Sequence, residues 1–225
     1  MTGGRRRHAA LIDVDGTLID STYHHALAWS AALRSHGFDV PAARTHRLIG
    51  MRGPRLLGEL LGADAAGELA GPIGEEHSAR YAALRPLVEP LPGARRLLEQ
   101  LAARGVVTVL MSSAQPHEVE HAIDMLDAHD LVAAWTSARD GDESKPDPEP
   151  VQIALERSGC TSGVVIGDAP WDCRAAGAAG LPCAAVLTGG YAAVELERAG
   201  AVAIFEDAAQ LCGSLDRVLA EAQAA

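Results

Sequence analysis

Aromatic side chains make up only 4% of the 225 residues, so a core must be packed from Ala, Leu, Val and Ile within a hydrophobic content of 48%. Lysine is nearly missing: Lys145 stands alone against 18 arginines. The formal net charge is −11, which disfavours nucleic acid as a partner, because a duplex binder needs a basic face to release phosphate counterions. Any positive charge in a site must therefore be placed locally. The four cysteines (Cys160, Cys173, Cys183, Cys212) are widely spaced and form no C-x-x-C pair, so they read as reduced thiols of a cytoplasmic protein rather than a disulfide or zinc framework. No apolar run reaches the roughly 18 residues of a membrane span. The segment Met1–Arg7 has the charge of a signal n-region, but Asp13 and Asp15 interrupt the apolar stretch after it. Internal repeats are lacking, as are low-complexity tracts beyond a general richness in alanine.

Short apolar runs are present instead, at Ala9–Val14, Val106–Met111, Gly163–Ile166, Cys183–Leu187 and Ala201–Phe205. Helix-like stretches lie between them at Ala94–Arg104, Pro116–Leu126, Pro148–Arg157 and Asp172–Ala179. The alternation predicts an α/β fold with a parallel sheet covered on both faces, whose ligands collect at the carboxyl ends of the strands. Residues 21–87 break the rhythm. Leu27, Ala31 and Leu33, then Leu56, Leu57, Leu60 and Leu61, carry helical periodicity, and Pro86, Pro90, Pro92 and Gly93 punctuate the return. A helical insertion at 21–87, within a core of 1–20 and 88–225, is the expected organisation.

Chemistry-bearing residues gather where the strands end. Asp13 and Asp15 are two apart, so both carboxylates can reach one spot beyond the first strand. Two such carboxylates need a cation between them or a retained proton. Gly16 permits a tight turn whose N–H groups are expected to face that spot. Ser112 and Ser113 end the second run, Lys145-Pro146 follows the stretch Trp135–Asp142, and Gly167-Asp168 ends another strand with Asp172 four residues on. Each piece alone describes ordinary turn chemistry. Together, at successive strand ends, they describe a site. A lysine retained in so arginine-rich a chain suggests a need for a compact ammonium rather than a planar fork.

Asp13-Val14-Asp15-Gly16-Thr17, Ser112, Lys145-Pro146 and Gly167-Asp168-x-x-x-Asp172 resemble the four motifs of the haloacid dehalogenase-like hydrolase superfamily. The helical insertion resembles its small-cap members, the phosphoglycolate phosphatases and β-phosphoglucomutases. The resemblance implies a Rossmann-like core, a magnesium ion and a phosphomonoesterase working through an aspartyl-phosphate. Asp13 would be the nucleophile. Asp15 would be the acid and then the base, with a pKa brought near working pH by the neighbouring carboxylate. Ser112 and Lys145 would bind the phosphoryl group, and Asp13, the Asp15 backbone carbonyl and Asp168 would hold Mg2+, with Asp172 orienting a metal-bound water. Gly16, Thr17, His25, Arg52 and Ser113 are the further candidate substrate contacts. His25 and Trp29 share a helix face, so a packing role for that pair is equally open. At Arg52-Gly53-Pro54 the chain departs from the acid-containing sequence that relatives often carry, which leaves Arg52 as a candidate for an anionic group on the substrate. Trp171 and Thr188-Gly189-Gly190-Tyr191 could line the rim. Asp15 favours phosphate over halide chemistry, because a halide needs no proton. A sugar phosphomutase shares all of these residues. A phospho-receiver domain shares the acids, the Ser and the Lys, but is shorter and has no helical insertion. The expected partner is a small phosphate ester, with no membrane; the oligomeric state is not legible.

Overall fold

The computed structural model describes residues 8–224, so the basic segment 1–7 lies outside the described residues. The chain enters through β1 (Ala9–Asp13) and then leaves the sheet for four helices: α1 (Thr22–Ser35), α2 (Ala42–His46), α3 (Gly53–Leu61) and α4 (Ala63–Leu84). A single 3-10 turn at Arg85–Leu87 leads to α5 (Ala94–Ala103), and alternation follows: β2 (Val107–Met111), α6 (Pro116–Met125), β3 (Ala134–Thr136), α7 (Glu149–Ser158), β4 (Gly163–Gly167), α8 (Pro170–Ala178), β5 (Cys183–Val186), α9 (Ala193–Ala199), β6 (Ala201–Phe205), α10 (Ala208–Cys212) and α11 (Leu215–Ala224).

The six strands form one parallel sheet in the order β3-β2-β1-β4-β5-β6. Chain direction across the sheet reverses between β1 and β4, which opens a crevice at their carboxyl ends. Alternate residues of each strand feed two different apolar layers. Ala10, Ile12, Leu110, Val164 and Ile166 pack with Leu97, Leu98, Val119, Leu211 and Leu215 on one side. Ala9, Leu11, Val109, Met111 and Val165 pack with Val151, Ala175 and Leu196 on the other. Burial on both faces is why the strands are apolar at nearly every position.

The helical stretch has its own apolar centre around Trp29, Leu33, Leu56, Leu57 and Ile73. Trp171 of α8 packs against both this centre and the second sheet layer, so it joins the two units. Within α4, Pro72 is carried without interruption, and Gly67, Gly71 and Gly74 leave one flank bare. A Cβ added at Gly71 or Gly74 would meet nothing within 4 Å.

Two expectations are corrected. Leu27 does not face inward: it is 56% exposed, and the buried stripe of α1 is instead His25, Ala26, Ala28, Trp29, Ala32 and Leu33. Leu33 is buried as expected, but alanine supplies so much of that stripe that Leu27 was assigned to the wrong face. Lys145 does not sit at a strand end either. β3 stops at Thr136, and a loop of eight residues carries the chain from there to Lys145. That loop is tied by Ser137, whose N–H and hydroxyl donate to Asp140 Oδ2 at 2.8 and 3.0 Å, and by Arg157, which pairs with Asp140 Oδ1.

Candidate active site

Asp13 is the last residue of β1, at the reversal point of the sheet, and is 4% exposed. The turn after Asp15 is closed by Gly16 N–H donating to the Ile19 carbonyl (2.8 Å) and Thr17 N–H to the Val14 carbonyl (3.3 Å). Those two N–H groups are therefore satisfied within the turn and do not face the site as expected. Gly16 is needed for a different reason: its φ is +84°, and a Cβ would run into Asp168 and Thr22. Gly189 and Gly167 serve the same end, since a Cβ on either would overlap Asp168 or Asp172.

Four buried charged groups meet here. The Lys145 ammonium donates to Asp13 Oδ1 and lies 2.7 Å from Asp172 Oδ1. Asp168 Oδ1 accepts from the Thr17 hydroxyl at 3.0 Å. Asp172 Oδ2 accepts from the Ala169 N–H at 3.1 Å, at the start of α8, while its Oδ1 has no hydrogen-bond donor in line. Burial pushes the Asp13 carboxyl up to about 8 against the pull of Lys145, with Asp172 and Asp15 adding to the rise. Burial raises Asp168 too, helped by Asp13 and Asp172. Burial disfavours the Lys145 ammonium, but Asp13 and Asp172 outweigh it and hold Lys145 above the ordinary lysine range. Lys145 stays an ammonium, because three carboxylates surround a single cation.

One ammonium cannot balance three carboxylates, and the donor set shows what would. Asp13, Asp168 and Asp172 offer oxygens that all lie within 4.8 Å of one another. Hard oxygen donors in surplus over charge fit a magnesium-like cation. The geometry thus brings Asp172 into the same carboxylate cluster as Asp13 and Asp168, while the Asp15 side chain turns elsewhere.

Asp15 Oδ1 accepts from Ser21 Oγ at 2.6 Å and from His25 Nε2 at 3.2 Å. Burial tends to raise its pKa, but His25 and the Ser21 hydroxyl prevail and hold the carboxyl below its usual range. The sequence led to the opposite expectation from Asp13 alone; the missing information was the partner set. His25 Nδ1 is 3.2 Å from His77 Nε2, and Trp29 and Tyr81 stack on these rings at 4.0 and 3.8 Å between centroids. Burial pushes His77 down to about 3, so this ring is neutral. His77 and Tyr81 went unnoticed in the sequence, although their i, i+4 spacing on α4 matches that of His25 and Trp29 on α1.

Ser112 Oγ lies 3.4 Å from Asp15 Oδ2 and accepts from Ala114 N–H at 3.0 Å; Ser113 lines the cavity beside it. Arg52 is engaged elsewhere than expected. Its guanidinium donates to the carbonyls of Gly141 (2.7 Å), Glu143 (3.2 Å) and Ala138, and its N–H donates to Ser144 Oγ at 2.7 Å. It ties the helical insertion to the Lys145 loop. Across the site the Thr188 hydroxyl donates to the Gly16 carbonyl, and His46 Nε2–H to the Gly189 carbonyl at 2.8 Å. Tyr191 is buried beneath His46 rather than on a rim.

A cavity of about 630 Å³ opens over Asp13 and Asp15 and is roofed by α1, α4 and the Gly50–Pro54 segment. Among the described residues no helix is long and apolar enough to cross a membrane.

Residues 8–180 match the haloacid dehalogenase-like hydrolase family. The chain is 31% identical, over 80% of its length and 85% of the relative's, to the validoxylamine A 7'-phosphate phosphatase of Streptomyces hygroscopicus subsp. limoneus. It is 27% identical to the phosphoglycolate phosphatase of Rhodospirillum rubrum, over 90% of this chain and 88% of that one. The crystal structure of a hydrolase from Pseudomonas syringae superposes with a TM-score of 0.89 at 32% identity, covering 95% of this chain and all of the other.

Proposed function

The chain belongs to the haloacid dehalogenase-like hydrolases, and on that premise we propose that it is a magnesium-dependent phosphatase of a small organic phosphomonoester. In this reading residues 21–87 form a cap over a core of 1–20 and 88–225. The observation that carries it is the placement of Asp13: buried at the reversal point of the sheet, held by the only lysine, and open to a cavity with Asp15 at its edge. The names of the relatives above, both phosphatases of small esters, support the same reading.

An Asp13 oxygen attacks phosphorus, forming an acyl phosphate as the ester P–O bond breaks. Asp15, ionised at rest, takes up a proton as the anionic phosphoryl group enters the site and gives it to the leaving oxygen. It then takes a proton from the water that attacks the acyl phosphate, which restores Asp13 and releases inorganic phosphate. His25, fixed by His77, holds the Asp15 carboxyl in place between these two duties. Lys145 neutralises charge shared by the phosphoryl oxygens and Asp13, and Ser112 donates to one of those oxygens. Asp13, Asp168 and the Asp15 carbonyl would hold the magnesium ion, with Asp172 beside them. When bound, the ion supplies charge neutralisation between the nucleophile and the phosphoryl group. Three buried thiols and one half-buried, with no disulfide among the described residues, support a cytoplasmic setting.

The test is phosphate release from a panel of phosphomonoesters, with magnesium and with excess EDTA after dialysis, scored beside isomerisation of glucose 1-phosphate. Magnesium-dependent release is expected, with calcium inhibitory because its looser coordination misplaces the in-line geometry. Isomerisation without release would move the reading to a phosphomutase, and full release in EDTA would contradict the metal.

A further inference from the structure

The loop that delivers Lys145 has little regular structure to hold it. β3 ends at Thr136, and residues 137–144 form no helix or strand before Lys145 is reached. A void of about 20 Å³, lined by Arg52, Met111, Ser112, Ser144 and Lys145 among others, separates part of the loop from the end of β2. Close packing on the sheet therefore does not by itself fix where the loop runs.

Polar ties hold it instead, from two sides. From the core, Arg157 pairs with Asp140 Oδ1, and Glu149 Oε2 accepts from the Asp142 and Glu143 N–H groups at 2.8 and 2.6 Å. From the helical insertion comes Arg52. Its guanidinium donates to the carbonyls of Ala138, Gly141 and Glu143, and among the described residues no other donor reaches these three oxygens. Its N–H donates to Ser144 Oγ at 2.7 Å, and Arg55 Nη1 donates to the Ser144 carbonyl at 3.4 Å. These last two ties fall on the residue next to Lys145.

Gathering three carbonyls takes several donors in a fixed plane, which a guanidinium has and an ammonium lacks. Arg52 belongs to the Gly50–Pro54 segment, which roofs the cavity over Asp13 and Asp15. At the far end of the tether, the Lys145 ammonium is buried beside Asp13 and 2.7 Å from Asp172 Oδ1. A loop displaced by about an ångström would carry that ammonium off its place, an error that can cost about 100-fold in rate.

Resting on the phosphatase reading, we infer that Arg52 is a positioning residue: through the 138–144 loop it sets where the Lys145 ammonium meets the phosphoryl group. The segment that roofs the cavity thus also places the cation in its floor. Arg52 then matters for every phosphate ester, whether or not the leaving group carries a second anion.

A double-mutant cycle on the magnesium-loaded full chain tests it, with p-nitrophenyl phosphate, whose nitrophenyl group offers Arg52 no charge to bind. Arg52→Ala is expected to lower kcat/KM by about tenfold or more, the loss falling in kcat rather than KM. In a Lys145→Ala background, where no ammonium is left to position, the same change is expected to cost less than about twofold. Thermal melting checks that each variant folds. Should Arg52→Ala not fold, Arg52→Lys, which keeps the charge and loses the fork, takes its place in the cycle with the same expected pattern. Wild-type efficiency in the Arg52 variant, or an equal loss in both backgrounds, would overturn the assignment. So would a loss on phosphoglycolate with none on p-nitrophenyl phosphate, which would make Arg52 a receptor for a substrate carboxylate. Wild-type turnover keeps the phosphatase reading alive in all three cases. No magnesium-dependent release from either ester by the wild type would overturn that reading and this inference together.

Discussion

Asp13 and Glu75 look into one cavity from opposite sides, and their surroundings differ. On the core side every acid has an engaged partner: Lys145 for Asp13 and Asp172, Thr17 for Asp168, Ser21 and His25 for Asp15. The core side is rigid by construction, with three glycines clearing space for Asp168 and Asp172, and Asp172 also accepting from the first N–H of helix α8. On the α4 side glycines leave emptiness rather than close contact, and the charged group there is unpaired. The chemistry is preorganised where it must recur with every substrate, and the wall that meets the variable part of the substrate is left open.

The sharpest way to break this contrast is on the core side. Asp13→Asn is expected to cut phosphate release by at least about 1,000-fold while leaving thermal melting unchanged or higher, since an amide lowers the surplus of buried carboxylates. Lys145→Arg should cost about 100-fold in kcat/KM, close to the cost of Lys145→Ala. The ammonium lies 4% exposed between two carboxylates, and a longer planar fork there displaces the phosphoryl group by about an ångström. If Lys145→Arg keeps a third of the activity or more, Lys145 is only a generic positive charge.

The opposite wall should respond more gently and selectively. Gly74→Leu fills open space on α4 and also replaces a poor helix former, so folding is retained. Its expected effect is about a tenfold loss of kcat/KM on glucosamine 6-phosphate, with a smaller loss on phosphoethanolamine. An equal loss on both would mean that the wall does not select by size.

Much of the core side was legible because a buried parallel strand cannot hide where it ends. Asp13, Ser112 and Asp168 each follow an unbroken apolar run, and local sequence is enough to place them. Lys145 was read as following the stretch Trp135–Asp142 and was marked further as the only lysine, but β3 is a three-residue edge strand with Trp135 half-buried and too little pattern to show the loop that separates them. His77 could not be paired with His25 from sequence: 52 residues separate them, and only the packing of α4 on α1 brings the rings together. The same holds for Glu75 and Glu118. They lie on different helices, and only the fold brings both to the lining of one cavity. Asp15 shows the limit most plainly, because the acid two residues away suggested a raised pKa and the histidine ten residues away lowers it.

The smallest effect concerns the loop that delivers Lys145. Burial disfavours ionised Asp140, but the Ser137 N–H and hydroxyl and the Arg157 guanidinium overcome it and hold its pKa below the usual carboxylate range. A depressed folded pKa means that the stabilisation is present above about pH 4, the unfolded carboxyl range, and is lost as pH falls through the folded value. Asp140→Asn should therefore lower stability by about 1 kcal/mol at pH 7 and by progressively less toward pH 3, measured by urea denaturation at each pH. A penalty constant across that range would place the role of Asp140 in packing rather than charge.

Trapping the covalent intermediate is the most direct test of the account. Enzyme turning over p-nitrophenyl phosphate with magnesium is quenched and reduced with borohydride, which converts an aspartyl-phosphate to homoserine, and the peptides are sequenced by mass spectrometry. The account predicts homoserine at position 13 alone, absent when substrate is omitted. Homoserine at Asp15, Asp168 or Asp172, or turnover in Asp13→Asn with no trapped residue, would contradict it.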